Sequence, residues 1–137
     1  MSRFISILVG KEEVPPVQTR ASGVLHLRVN QNQTLLRYKL RLSNINKLTR
    51  AHLHLAPRGI NGPIVAILFN TTTSGISTPL GIITGTIRST DLTGPLENST
   101  IAELVNQIRQ GNIYTNAHNE RFPNGVIRGQ VRSSISQ

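Results

Sequence analysis

The chain has no cysteine and no tryptophan, two tyrosines, three phenylalanines, and only 6 Asp+Glu among 137 residues. Without cysteine there is no disulfide framework, and no thiolate to serve as nucleophile or metal ligand. That absence leaves the compartment open, because a domain of this size can bury an adequate core without staples. No stretch approaches the roughly 20 apolar residues that a membrane helix requires. Residues 1–10 carry one basic residue and a short apolar run. The run is too short for a signal peptide and lacks a small-residue cleavage pattern, so residues 4–9 are expected to form a first strand.

The missing catalytic patterns matter as much. No Gly-x-Ser-x-Gly elbow is present, and the acids are too few to pick out a triad. Glu12 and Glu13 are adjacent carboxylates, but no partner for glycoside chemistry can be named. Phosphate-cradling and dinucleotide glycine motifs are absent as well. No catalytic residue is assigned, and the expectation leans away from an enzyme. Scarce aromatics also argue against nucleic acid as the partner, since single-strand binders stack bases on aromatic rings.

What the chain has in excess is positive charge: 15 Lys+Arg give a formal +9. Such an excess favours polyanionic partners such as nucleic acid, anionic lipid or acidic glycans, besides keeping a small domain soluble. Residues 22–29 alternate, with Leu25, Leu27 and Val29 on one face and Val24, His26 and Arg28 on the other. After a polar turn at residues 30–33, Leu36, Tyr38, Leu40 and Leu42 alternate with Arg37, Lys39 and Arg41. Paired as a hairpin, the two segments show one apolar face and one basic face. Arg28, Arg37, Lys39 and Arg41 are the candidate anion-binding residues, with His26 beside them.

Further strands are expected at residues 49–56, 81–88, 112–118 and 126–132. The continuous apolar run at 64–69 suits a strand buried on both faces, and residues 70–79 read as a polar loop. Thr100 with Glu103 three residues on is a capping box, Ile101, Leu104, Val105 and Ile108 share a stripe, and Gly111 supplies a stop. One short helix is therefore expected at residues 100–110. About eight strands with regular turn signals, and no compositional break, predict one all-β domain, either an antiparallel sandwich or a Greek-key barrel.

His52 and His54 are two apart on a strand and project from one face, while Ala51, Leu53 and Leu55 take the other. Two neighbouring imidazoles can reach one ion, and His118, ending a later strand, could complete a three-nitrogen site for copper or zinc. No carboxylate lies near the pair in sequence to orient the rings. Glu12, Glu13 and Glu120 are the acids that could reach them through the fold.

Four ordered motifs carry a family resemblance. They are Leu8-Val-Gly10 with Glu13-Val14-Pro15-Pro16, Ala51-His52-Leu53-His54 with Gly59-Ile-Asn-Gly62-Pro63, Asn116-Ala-His118, and Pro123-Asn-Gly125-Val126-Ile-Arg128-Gly129-Gln130. Over nearly its whole length the chain resembles the CHRD (chordin-type) domain family. Two positions depart from the family pattern: Asn119 stands where Thr is usual, and Val126 where Glu is usual. The resemblance makes Glu13 the surviving acid and a structural ion-pair partner for Arg128. It also implies a cell-surface or extracellular setting, since bacterial members are often exported. The His-x-His strand is similar to one strand of Cu/Zn superoxide dismutase, but this chain lacks that family's long metal-bearing loop.

Three readings of function stay open at this point. One is a non-enzymatic binding or structural β-domain at a cell or spore surface, its partner a protein or an anionic surface polymer. Another is a copper or zinc protein using His52, His54 and His118, with superoxide-dismutase-like redox activity as one form of it. The third is polyanion binding through the basic sheet face. Oligomeric state has no sequence signal.

Overall fold

The computed structural model describes residues 2–71 and 76–134, with the backbone alone for 76–80. Eight strands are defined: β1 (Arg3–Val9), β2 (Ser22–Val29), β3 (Leu35–Leu55), β4 (Ile64–Asn70), β5 (Ile76–Arg88), β6 (Ile113–Asn119), β7 (Ile127–Gln130) and β8 (Arg132–Ser133). One α-helix, α1 (Ile101–Arg109), precedes β6. All pairings are antiparallel and belong to a single sheet.

The sheet closes on β3. Leu36 is paired with Val29 of β2 and Ile87 of β5, and Ala51 with Phe69 of β4 and Ala117 of β6. Leu48 faces both Ile76 of β5 and Asn119 of β6, which puts those two strands on opposite edges. One edge of β3 thus carries β2 and then β6, while the other carries β5 and β4 end to end. Because β2, β1, β7 and β6 also pair in that order, the path returns to β3. The result is barrel-like, which decides between the two expected all-β forms.

Inside lie Phe4, Leu8, Leu25, Leu27, Leu36, Leu40, Leu42 and Ile127, all buried in one apolar cluster. Each such side chain stabilises the fold by about 1.5–3 kcal/mol through removal from water. The helix adds Ile101, Leu104, Val105 and Ile108 to the same cluster. Its start is fixed as expected, with Thr100 Oγ1 accepting from the Glu103 amide at 3.0 Å. At Gly129 the closing strands approach so closely that a Cβ would sit 2.1 Å from the Ile7 carbonyl oxygen. Only glycine fits there.

Residues 36–42 and 49–56, expected as separate strands, are one continuous strand of 21 residues. The polar Ser43-Asn44-Ile45-Asn46-Lys47 segment reads as a turn, and Asn44 and Lys47 do take positive φ of 56° and 57°. The chain bends there without leaving the sheet. Inward positions run Leu36, Leu40, Leu42, then Ile45, Leu48, Ala51 and Leu53. Steps of three replace steps of two at the positive-φ Asn44 and at the register shifts on either side of Leu48, so even-numbered residues point inward before the bend and odd-numbered ones after it.

Two further expectations are corrected. The 64–69 run is not buried on both faces: Val65, Ala66 and Leu68 are buried, but Ile67 is 52% exposed. Among the described residues β4 pairs with β3 alone, so its other edge carries no strand, and the side of β4 that bears Ile64 and Ile67 meets solvent. Residues 70–79 are not a loop throughout, because β5 begins at Ile76. Residues 72–75 lie outside the described residues.

Candidate metal centre

The bend in β3 sets His52 and His54 on the face opposite Ala51 and Leu53, away from the barrel interior. Cross-strand pairing then sets Asn116 beside His52, Tyr114 beside His54, and His118 beside Arg50. On the next strand, Arg128 and Gln130 lie opposite Asn116 and Tyr114. Loops cover this outer face, so all three histidines are buried, at 4%, 7% and 8% exposure for His52, His54 and His118. The three rings meet as expected: one donor nitrogen from each lies within 4.8 Å of the others. Metal–nitrogen bonds of about 2.0–2.1 Å require separations of roughly 3.4 Å in a tetrahedron, an inward movement of about an ångström.

Backbone carbonyls orient two of the rings. His54 Nδ1 donates to the Gly62 oxygen at 2.9 Å, and His118 Nδ1 donates to the Pro123 oxygen at 2.7 Å. With Nδ1 carrying the proton, each neutral ring presents its Nε2 lone pair. Both lone pairs face Asn116 Oδ1, at 2.8 Å from His54 Nε2 and 3.0 Å from His118 Nε2. His52 Nδ1 stands 3.2 Å from His118 Nε2. His52 Nδ1–H can donate to His118 Nε2, so the acceptor-to-acceptor contacts are those of His54 and His118 Nε2 with Asn116 Oδ1, which a turned amide or a cation resolves.

Protons are disfavoured. Burial lowers the His52 pKa to about 3, helped by the neighbouring His118 and His54. His54 and His118 are lowered too, chiefly by burial. At neutral pH the three rings are uncharged, the state in which imidazole binds metal. In metal-free protein, turning the Asn116 amide puts its nitrogen toward the rings and its oxygen toward Glu13.

Glu13 is buried, and its Oε2 has no hydrogen-bond partner. Burial raises its pKa to about 7, against the lowering influence of Arg128 and Asn116. A Cβ at Gly125 would lie 2.4 Å from that oxygen and 2.7 Å from Asn116 Nδ2, and φ there is +125°. The expected direct Glu13–Arg128 ion pair does not form. Among the described residues the direct pair is Glu12–Arg58, at 2.6 Å. Arg128 instead donates to the Pro57 and Ile60 oxygens, at 3.1 and 2.8 Å, and to Asn61 Oδ1 at 3.2 Å. Its guanidinium stacks 3.5 Å from the Tyr114 ring centroid, and Tyr114 stacks in turn with His54. Loop carbonyls took the role given to a carboxylate, because Glu13 sits behind Asn116 rather than against the guanidinium.

Glu13 has a testable consequence for stability. Its folded pKa exceeds the ordinary 4.5, so its favourable contribution is complete below pH 4.5 and is lost as pH rises through about 7. Wild type should therefore give up roughly 3 kcal/mol at this residue by pH 8. Glu13→Gln escapes that loss. In chelator-treated protein, urea midpoints of wild type and Glu13→Gln should diverge from pH 5 to pH 8, with the variant more stable at the alkaline end. The histidines lose stability in the opposite direction, as pH falls below 6.5, but they are common to both proteins and cancel. A gap independent of pH would show that Glu13 is not held protonated by burial.

Sequence reasoning found the three histidines but missed Asn116 and the Gly62 and Pro123 carbonyls. Asn116 had a signal, being two residues before His118 and so on the same strand face. The carbonyls had none, since a backbone oxygen looks alike at every residue. Arg28, Arg37, Lys39 and Arg41 lie at the far end of β2 and β3, on a separate exposed surface.

A closed all-β sheet with histidines from two paired strands thus defines the class. The CHRD domain model matches residues 4–131, and the chain belongs to the CHRD domain family. A search of curated proteins finds no significant match.

Proposed function

We propose that this CHRD domain holds one copper or zinc ion on His52, His54 and His118, in a structural rather than a catalytic role. The observation that carries the reading is the convergence of three buried imidazoles, one nitrogen from each within 4.8 Å of the others, with the Nε2 lone pairs of His54 and His118 left free by their Nδ1 bonds to carbonyls. A cation would be bound by both Nε2 lone pairs, a His52 nitrogen and Asn116 Oδ1 together, whereas the turned amide serves the metal-free protein. The donors are imidazole and amide, with no thiolate, which suits zinc and copper(II) and disfavours softer ions. Counting Asn116, four donors surround the point and solvent is largely excluded. Closed four-donor sites are structural, whereas catalytic zinc keeps an open position.

The test is uptake by protein purified without an affinity tag. Chelator-treated protein should take up one equivalent of zinc or copper(II) at micromolar concentration, read by elemental analysis after gel filtration. Protein that stays metal-free under those conditions overturns the reading.

A further inference from the structure

Away from the histidines, the outer face of β1, β2 and the first half of β3 is a lattice of cations. The register sets Arg3 opposite Arg28, and Arg28 opposite Arg37, so three arginines form one row across three strands. In the adjacent row His26 lies opposite Lys39, and Ile5 opposite Arg132 of β8. Arg41 follows one row further on, opposite Val24. All these cations are exposed. None of the six acids falls in β1, β2, β3 or β5. The ones with described bonds are engaged elsewhere: Glu12 with Arg58, Asp91 with the Arg88 amide, and Glu103 with Gln107.

Like charges set directly opposite one another destabilise a sheet. Arg3, Arg28 and Arg37 do this twice in one row, so the fold maintains a repulsive surface that an anion would relieve. Neighbouring strands are about 4.8 Å apart, and same-face residues along a strand about 6.8 Å apart. The cations therefore repeat at the spacing of charges on a linear polyanion. Arginine predominates, and its planar fork matches carboxylate and sulfate oxygens.

We propose that this face binds an acidic polysaccharide laid across β1, β2 and β3. Two observations favour a glycan over nucleic acid. The outward positions of these strands carry no aromatic ring on which bases could stack: Phe4 is buried, and the half-buried Tyr38, at the rim of the cationic face, is tied down by its hydroxyl bond to the Leu68 oxygen. The cations also line a shallow depression, not a projecting helix or ribbon able to enter a duplex groove. This inference is independent of the metal reading, and its test uses chelator-treated protein.

Heparin oligosaccharide and polygalacturonate are the probes, with single-stranded and duplex DNA of matched charge as competitors. Wild type should bind the glycans at low salt, with affinity falling linearly in log–log form as salt rises. Arg28→Thr/Arg37→Thr should weaken glycan binding at least tenfold while raising the melting midpoint by about 1–3 °C, because repulsion is removed. Arg20→Thr/Arg121→Thr removes the same charge from exposed positions off this face, and should leave binding within about twofold. Equal losses in the two double variants would mean that net charge alone does the binding, overturning the assignment. Tighter binding of DNA than of either glycan at 150 mM salt would overturn it as well.

Discussion

Replacing Arg128 by methionine is expected to destabilise the domain by about 1–3 kcal/mol, with the urea midpoint falling and the m-value unchanged. Arg128 is the largest fully buried side chain, at 1% exposure. Its guanidinium supplies the donors that satisfy the Pro57 and Ile60 oxygens and Asn61 Oδ1, and it covers the Tyr114 ring. Methionine fills similar volume but leaves the Pro57, Ile60 and Asn61 acceptors on the inner side of an otherwise exposed loop without their donor. Lysine should restore little, because one ammonium cannot reproduce the fork. The effect should spread. The same loop carries Gly62, whose oxygen fixes the His54 tautomer, so metal uptake should weaken along with stability. A loss under about 1 kcal/mol would mean that water replaces the guanidinium freely, and that Arg128 does not anchor the loop.

Removing a ring should have an equally large effect on uptake. His52→Ala and His118→Ala are each expected to reduce zinc or copper affinity by about 100-fold or more, since changes to groups that merely orient a ligand already cost 10–100-fold. Wild type with metal at about 100 times its dissociation constant should gain near 2.7 kcal/mol of stability, and the variants should gain none. His118→Gln serves as a second variant if the alanine protein folds poorly, because the amide can still donate to the Pro123 oxygen. Stoichiometric metal retained in both His52→Ala and His118 variants would place the ion elsewhere.

How much of this could be read from residues alone depended on what kind of information each feature uses. Alternation of Leu25, Leu27 and Val29 with His26 and Arg28 is side-chain chemistry at period two, and the basic face followed from it directly. The pairing of Arg28 with Arg37 follows from the tight turn between the strands, whereas Arg3 and Arg132 join them only through pairings distant in sequence. Thr100 and Glu103 declare a helix start within four residues. By contrast, Ser43-Asn44-Ile45-Asn46-Lys47 looks like a turn because asparagine tolerates positive φ, and the chain uses that tolerance to bend a strand instead. Ile67 misled because an edge strand and an interior strand can share composition. At the histidine cluster the rings were legible and their orienting partners were not, because those partners are loop carbonyls brought in from Gly62 and Pro123. The Glu13–Arg128 pairing failed for a related reason: proximity in the fold gave attraction, but the guanidinium's geometry was better met by oxygens of the 57–61 loop.

The steps of three along β3, from Leu42 to Ile45 to Leu48 to Ala51, amount to a change of phase. Ahead of the bend the odd-numbered Arg37, Lys39 and Arg41 point outward, and beyond it the even-numbered His52 and His54 do. The spacing between the cationic lattice and the imidazole cluster is therefore fixed in parity as well as length. A one-residue insertion or deletion within 43–50 would behave as a frameshift in space, turning the histidines into the barrel and Ala51 and Leu53 out. A two-residue change would preserve the frame. This polar segment, which looks the most expendable in the strand, is where the domain keeps its two outward surfaces in step.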